Sequence, residues 1–126
     1  MNLNQITIPS IDLNKSIPFY EKLGLRLIVD SRPRYARFEL PEGESTFSIH
    51  HAENISSGEK PVLYFEVSDL AQTFAELQSK GIKFDLHPVM QRWLWEEAHL
   101  TDPDGHQIIL FHAGENRKNP PWRLKQ

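Results

Sequence analysis

The chain switches hydrophobic period in the same way twice. Leu70, Phe74 and Leu77 stand at i, i+4 and i+7, one stripe of an amphipathic helix, and Leu13, Ile17, Tyr20 and Leu23 repeat that stripe with looser spacing. Short runs rich in β-forming residues surround the stripes, at residues 25–30, 34–40, 45–51, 82–87, 92–101 and 106–112. Pro41-Glu42-Gly43-Glu44 and Asp102-Pro103-Asp104-Gly105 read as hairpin turns between such runs, the second with the stronger turn chemistry. Gly24 and Gly81 fall where a helix end wants a left-handed residue, and Lys22 and Lys80 suit the negative end of a helix dipole. Pro18 reads as lying near a first helical turn, where its missing N–H costs little.

Setting Asp12-Leu13 over Asp69-Leu70, a shift of 57 residues, aligns Ile17 with Phe74, Tyr20 with Leu77, Gly24 with Gly81, Leu25 with Ile82 and Leu27 with Phe84. Each copy reads as an extended run, Asp-Leu, a ten-residue helix, Gly and further extended runs, which is the mark of an internal duplication. The expected fold class is therefore α+β, with two tandem βαβββ modules forming a curved, mostly antiparallel sheet around a cleft. Within a single domain over residues 1–126, module one spans 1–53, module two 61–112 and a tail 113–126. The polar stretch 54–60 links the modules. In the tail, Pro120-Pro121-Trp122-Arg123 reads either as a lid folded back on the cleft or as a disordered end.

Composition narrows the function classes. A chain of 126 residues, 39% hydrophobic and 25% charged, has the size and balance of one globular domain. A mean hydropathy of -0.51 and the lack of any apolar run approaching a bilayer-spanning length argue against a membrane partner. There is no cysteine, hence no disulfide, thiolate metal site or cysteine nucleophile. The opening Met1-Asn2-Leu3-Asn4-Gln5 lacks the pattern of a secretory signal, so a cytoplasmic protein is expected. A net charge of -3 argues against a nucleic-acid partner.

Strands alternate their side chains between two faces, and sorting them isolates one mixed face. Opposite the apolar positions Ile6 and Ile8 lie Gln5 and Thr7. Opposite Leu63, Phe65 and Val67 lie Val62, Tyr64 and Glu66. Ser48 and His50 oppose Phe47 and Ile49. Trp93, Trp95, Glu97 and His99 oppose Leu94, Ala98 and Leu100, while Gln107, Ile109 and Phe111 oppose Ile108 and Leu110. Apolar walls with a few polar groups are what a small-molecule cleft needs. The expected ligand-binding residues are Gln5, Ser48, His50, Tyr64, Trp93, Trp95, Glu97, His99 and Phe111. The Trp93-Leu94-Trp95-Glu96-Glu97 run suits an aromatic or cationic ligand, or equally a dimer interface, where Trp is enriched. Glycines are isolated and no serine sits in a nucleophile elbow, so neither a phosphate-cradling loop nor serine hydrolase chemistry is expected.

Four motifs in order resemble the vicinal oxygen chelate superfamily, which groups glyoxalase I, bleomycin-resistance proteins and dioxygenases. They are residues 6–13 (Ile-Thr-Ile-Pro-Ser-Ile-Asp-Leu), 16–25 (Ser-Ile-Pro-Phe-Tyr-Glu-Lys-Leu-Gly-Leu), 65–70 (Phe-Glu-Val-Ser-Asp-Leu) and 102–110 (Asp-Pro-Asp-Gly-His-Gln-Ile-Ile-Leu). The resemblance covers roughly residues 3–112 and implies the fold rather than one reaction. It places metal-ligand positions on Gln5, Val62, Ser48 and Ile109, of which two have no lone pair to offer. A catalytic site usually keeps about three protein donors, so the usual site looks dismantled. Gln5, His50 and Glu66 remain as metal candidates, with His99 on the same face able to converge with them, and no cofactor is expected beyond a divalent ion re-formed there. The leading expectation is a small-molecule binding protein of the bleomycin-resistance type. The alternative is a metal-dependent lyase, isomerase or dioxygenase, or a metal-free enzyme, with Glu97, His50 and His99 as catalytic candidates. Long sheet edges and the family resemblance together imply a homodimer.

Overall fold

Asp12 and Asp69 start the two helices. Each sits in extended backbone while its carboxylate accepts a hydrogen bond from the N–H of Asn14 or Gln72, satisfying one donor that a helix N-terminus leaves open. In the computed structural model, which describes residues 1–125, helix α1 runs Leu13–Lys22 and α2 runs Leu70–Ser79. Gly24 and Gly81 end them at φ +102° and +88°, a region that costs glycine nothing, and the N–H groups of Leu25 and Ile82 return to the carbonyls of Tyr20 and Leu77. Lys22 lies in the last turn of α1, whereas Lys80 stands just past α2. Pro18 corrects the expectation made for it. It lies inside α1 beyond the first turn, where it withholds a hydrogen bond from the Asn14 carbonyl. The helix runs through it because Leu13, Ile17 and Tyr20 bury one face against the sheet.

The strands form two four-stranded mixed sheets, one per module, so the architecture is α+β with two tandem modules. The first sheet takes β1 (Gln5–Ser10), β2 (Arg26–Ser31), β3 (Tyr35–Glu39) and β4 (Thr46–His51) in the order β1-β4-β3-β2. The second takes β5 (Leu63–Glu66), β6 (Leu86–Met90), β7 (Glu96–Thr101) and β8 (Gln107–His112) in the order β5-β8-β7-β6. In each, the outermost pair β1–β4 or β5–β8 is parallel and the other pairings are antiparallel.

The chain forms two compact units: residues 1–60 with 102–105, and residues 61–101 with 106 onward. In the first, Tyr20 packs its ring 4.6 Å from Phe47 and 6.0 Å from Phe38, centroid to centroid. Ile17, Ala36 and Ile49 complete that buried layer. In the second, α2 lies on β6, β7 and β8 and buries Leu70 and Leu77, while Ala98, Leu100 and Ile108 are buried in the strands.

Two strands differ from expectation by more than one residue. The run 82–87 is strand only from Leu86, and it continues to Met90. The run 92–101 is strand only from Glu96. Between them Gln91–Trp95 closes a tight turn, with Leu94 N–H donating to the Gln91 carbonyl and Gln91 N–H to the Trp95 carbonyl. Leu94 adopts φ +67° there, a left-handed conformation unusual for leucine. In the tail, Gly114–Arg117 forms a 3-10 helix and Arg123 N–H closes a turn on the Pro120 carbonyl, leaving Trp122 exposed. Among the described residues no helix is long and apolar enough to cross a membrane.

Candidate functional site

The candidate residues fall on one face of each sheet, and each unit assembles its own set. In the first unit the register puts Gln5 and Thr7 of β1, Thr46, Ser48 and His50 of β4, and Tyr35 and Arg37 of β3 on the face away from the Phe38–Phe47 layer. Gln5 and Ser48 do meet. The Gln5 amide Nε2 donates to Ser48 Oγ at 2.6 Å, and Thr46 Oγ donates to Gln5 Oε1, which fixes the amide's orientation. Ser48 is fully buried, and its hydroxyl lies 2.6 Å from the Tyr35 hydroxyl. Arg37 Nε donates to that same phenol at 2.9 Å, with its guanidinium carbon 5.5 Å from the ring centroid. Burial pushes the Tyr35 phenol up, but the hydrogen bonds of Ser48 and Arg37, with the Arg37 charge, hold it below the usual tyrosine range. His50 stays apart from this chain of bonds. It is exposed, and its Nδ1 lies 3.2 Å from the His51 carbonyl.

Tyr35 and Arg37 are functional-looking residues that the face sorting above passes over. The signal is there, since Ala36 and Phe38 alternate with them as buried partners. A separate cavity of about 490 Å3 in this unit is lined by Ile11, Asp12, Lys15, Glu53, Ile55 and Asp104 among others. Its aspartates serve the fold: Asp12 caps α1, and Asp104 accepts from Ile11 N–H at 2.9 Å and Ser16 Oγ at 2.8 Å.

In the second unit the register sets Tyr64 beside Ile109, and Phe111 between Glu66 and Glu97. The turn rather than a strand supplies Trp93 and Trp95, so alternation does not place them, yet they reach this face. Trp95 stacks on Phe111 with ring centroids 4.6 Å apart and 15° between planes. Tyr64 stands edge-on to both rings at 5.9 and 5.7 Å. Trp95 Nε1 donates to the Asn116 carbonyl at 3.3 Å, tying the ring to the 3-10 helix of the tail. Glu97 is 2% exposed, receiving Trp93 Nε1–H on one oxygen and facing His99 Nε2 with the other, each at 2.8 Å. As a carboxylate it requires His99 to carry its proton on Nε2. Burial, then the nearby Glu97 charge, raise the Tyr64 phenol above its ordinary range. Trp93 and Tyr64 remain 38% and 50% exposed, so their rings are open to a ligand.

The positions that the resemblance gives to metal ligands do not fit a divalent ion. Val62 and Ile109 are hydrocarbon, and Ile109 is buried in an apolar cluster with Phe111 and Ala113. The Gln5 carbonyl oxygen already accepts from Thr46, and the Ser48 hydroxyl is held between Gln5 and Tyr35. Glu66 is engaged as a cap. One of its oxygens accepts the N–H groups of Ala113 and Gly114 at 2.8 and 3.0 Å, and the other faces Arg117 Nε at 3.5 Å. Among the described residues no three His, Asp or Glu side chains gather as a metal-holding group.

These modules and their sheet order carry the family. Residues 2–110 match the family model of the Glyoxalase/Bleomycin resistance protein/Dioxygenase superfamily, and the chain belongs to that superfamily. The uncharacterized protein YraH of Bacillus subtilis (strain 168) is 30% identical over 127 residues, covering 88% of this chain and 98% of its own. A glyoxalase/bleomycin resistance protein/dioxygenase from Nocardioides superposes with a TM-score of 0.80 at 21% identity, covering 99% of this chain and 90% of that one. A bleomycin-binding protein solved in complex with bleomycin superposes with a TM-score of 0.72 at 22% identity, covering 89% and 98%. At such identities the structural likeness is one of fold.

Proposed function

We propose that the chain is a small-molecule binding protein that works without a metal ion, and that it holds a ligand with a flat apolar body and a positive charge. The observation that carries this reading is the second unit's aromatic group, Tyr64 with the Trp95–Phe111 stack, beside the buried Glu97 carboxylate. Open aromatic faces offer stacking and cation–π attraction, and a carboxylate in an apolar wall makes its surroundings favourable to a cation. Support also comes from the superfamily relative that was solved with bleomycin bound. Glu97 and His99 bond each other, and Glu97 also receives Trp93, which suits positioning rather than proton transfer to a substrate.

The test is a fluorescence titration with phenyltrimethylammonium and with bleomycin, each against wild type and Trp95→Ala. Removing the stacked indole should weaken binding by about 1–3 kcal/mol, the scale of a lost stacking partner with its buried area. Equal affinity in the variant would sink the assignment of this face. Metal analysis of the purified, untagged protein tests the other half, and a stoichiometric first-row ion bound through Gln5 would overturn it.

A further inference from the structure

The first unit holds a second group of donors that the aromatic site does not use. Gln5 Nε2 can only donate, so Ser48 Oγ accepts from it and must pass its single proton on. Among the described residues the Tyr35 hydroxyl is the one remaining hydrogen-bond partner of Ser48 Oγ, so Ser48 donates to the phenol oxygen at 2.6 Å, and Arg37 Nε donates to it as well at 2.9 Å. With both lone pairs engaged, the phenol's own O–H is left pointing at no acceptor among the described residues. Arg37 is in the same position. Two other arginines of this sheet reach carboxylates: Arg26 lies 3.7 Å from Glu39 and Arg32 lies 2.6 Å from Asp30. Arg37 pairs with no carboxylate among the described residues, and its terminal nitrogens remain available. Both residues sit on β3, an inner strand of its sheet, and the buried Ser48 sits on β4 beside it, so the donors are held by backbone pairing on both sides.

We propose that Arg37 and Tyr35 form a binding site for the oxyanion group of a small molecule, with the Thr46–Gln5–Ser48 chain of hydrogen bonds orienting the Tyr35 hydroxyl. A guanidinium edge and a neighbouring hydroxyl match the oxygens of a carboxylate or a phosphate, and charge-assisted hydrogen bonds of this kind are the strong ones. The positions at which relatives are expected to hold a metal thus serve here to aim a donor. This proposal stands on a different unit from the aromatic site and does not rest on that reading.

The experiment is an amide NMR titration of the full chain with sodium benzoate and, separately, with inorganic phosphate, at constant ionic strength. The expected result is saturable shifts at residues 35–37 and 46–50 with at least one of the two, and the stronger binder identifies the class of oxyanion. Arg37→Ala should raise the dissociation constant at least tenfold. Arg37 is exposed, so the variant should keep the wild-type spectrum elsewhere. Tyr35→Phe and Ser48→Ala should each weaken binding severalfold, while Arg37→Lys, which keeps the charge but not the fork, should fall between wild type and Arg37→Ala. Shifts that do not saturate, or a dissociation constant that Arg37→Ala leaves unchanged, would overturn the site. If Tyr35→Phe and Ser48→Ala bind as wild type does, the orienting role is overturned.

Discussion

Glu66 and Glu97 flank Phe111 on one face of one sheet, yet their surroundings set them to different tasks. Glu66 accepts two backbone N–H groups that open the 3-10 helix of the tail, so its charge is used within the fold. Glu97 receives an indole N–H and an imidazole N–H, both from side chains of the candidate site. Removing a hydrogen-bonded buried charge should cost about 1.5–3 kcal/mol, so Glu97→Ala should lower the urea midpoint accordingly. Glu97→Gln keeps the shape and an acceptor for Trp93, and should lose less than half as much stability. It should nevertheless weaken phenyltrimethylammonium binding and leave binding of a neutral aromatic unmoved. A Gln variant that binds the cation as wild type does would make Glu97 a purely structural residue.

At the scale of elements, what was legible depended on whether a segment carried its own punctuation. The helices are marked by an Asp cap, a stripe with helical period and a closing glycine, and they appear within a residue of their expected limits. The β4 face was legible too, because Phe47 and Ile49 alternate with Ser48 and His50. The segment from Gln91 to Trp95 was not legible. It turns without glycine, asparagine or proline, with Leu94 taking the left-handed position, so a run of large β-forming residues reads as the start of a strand. Alternation therefore assigns Trp93 and Trp95 to a face on the wrong ground, since a turn rather than a strand carries them. Strain at Leu94 makes a prediction. A β-branched residue tolerates that conformation worst, so Leu94→Ile should destabilise by about 1–3 kcal/mol although its volume is conserved. Leu94→Gly should cost less than Leu94→Ile despite removing the whole side chain, as read from urea midpoints at unchanged slope. The reverse order would mean that packing rather than backbone strain governs the turn.

At the scale of the whole molecule, the duplication is plain in the sequence, whereas the place of residues 102–105 is not. They lie in the chain between β7 and β8, yet belong to the first unit. There Tyr20, fully buried, donates to Asp102 Oδ2 at 2.5 Å, and a chain from Ser10 through Ser16 reaches Asp104, each step 2.8 Å. No local pattern announces such a pairing, since 82 positions separate Tyr20 from Asp102. Its consequence appears at alkaline pH. Burial, and then the Asp102 charge, push the Tyr20 phenol far above its ordinary value, so the folded chain keeps this proton where the unfolded chain releases it. A raised folded-state value gives stability that is fully present below about pH 10, the ordinary tyrosine value, and is lost as pH rises beyond it. The loss should approach about 1.4 kcal/mol per pH unit. Tyr64 shifts the same way but is half exposed and adds little, and Tyr35, lowered instead, works in the opposite sense. Comparison with Tyr20→Phe isolates the one group. At pH 7 the variant should be less stable by about 1.5–3 kcal/mol, because the Asp102 carboxylate loses a buried donor. Between pH 10 and 11 its stability should fall less steeply than that of wild type, so that the two urea-derived curves draw together. Parallel curves across that range would mean that Tyr20 ionises in the folded protein as it does in the unfolded chain, and that the Tyr20–Asp102 bond does not hold the fold.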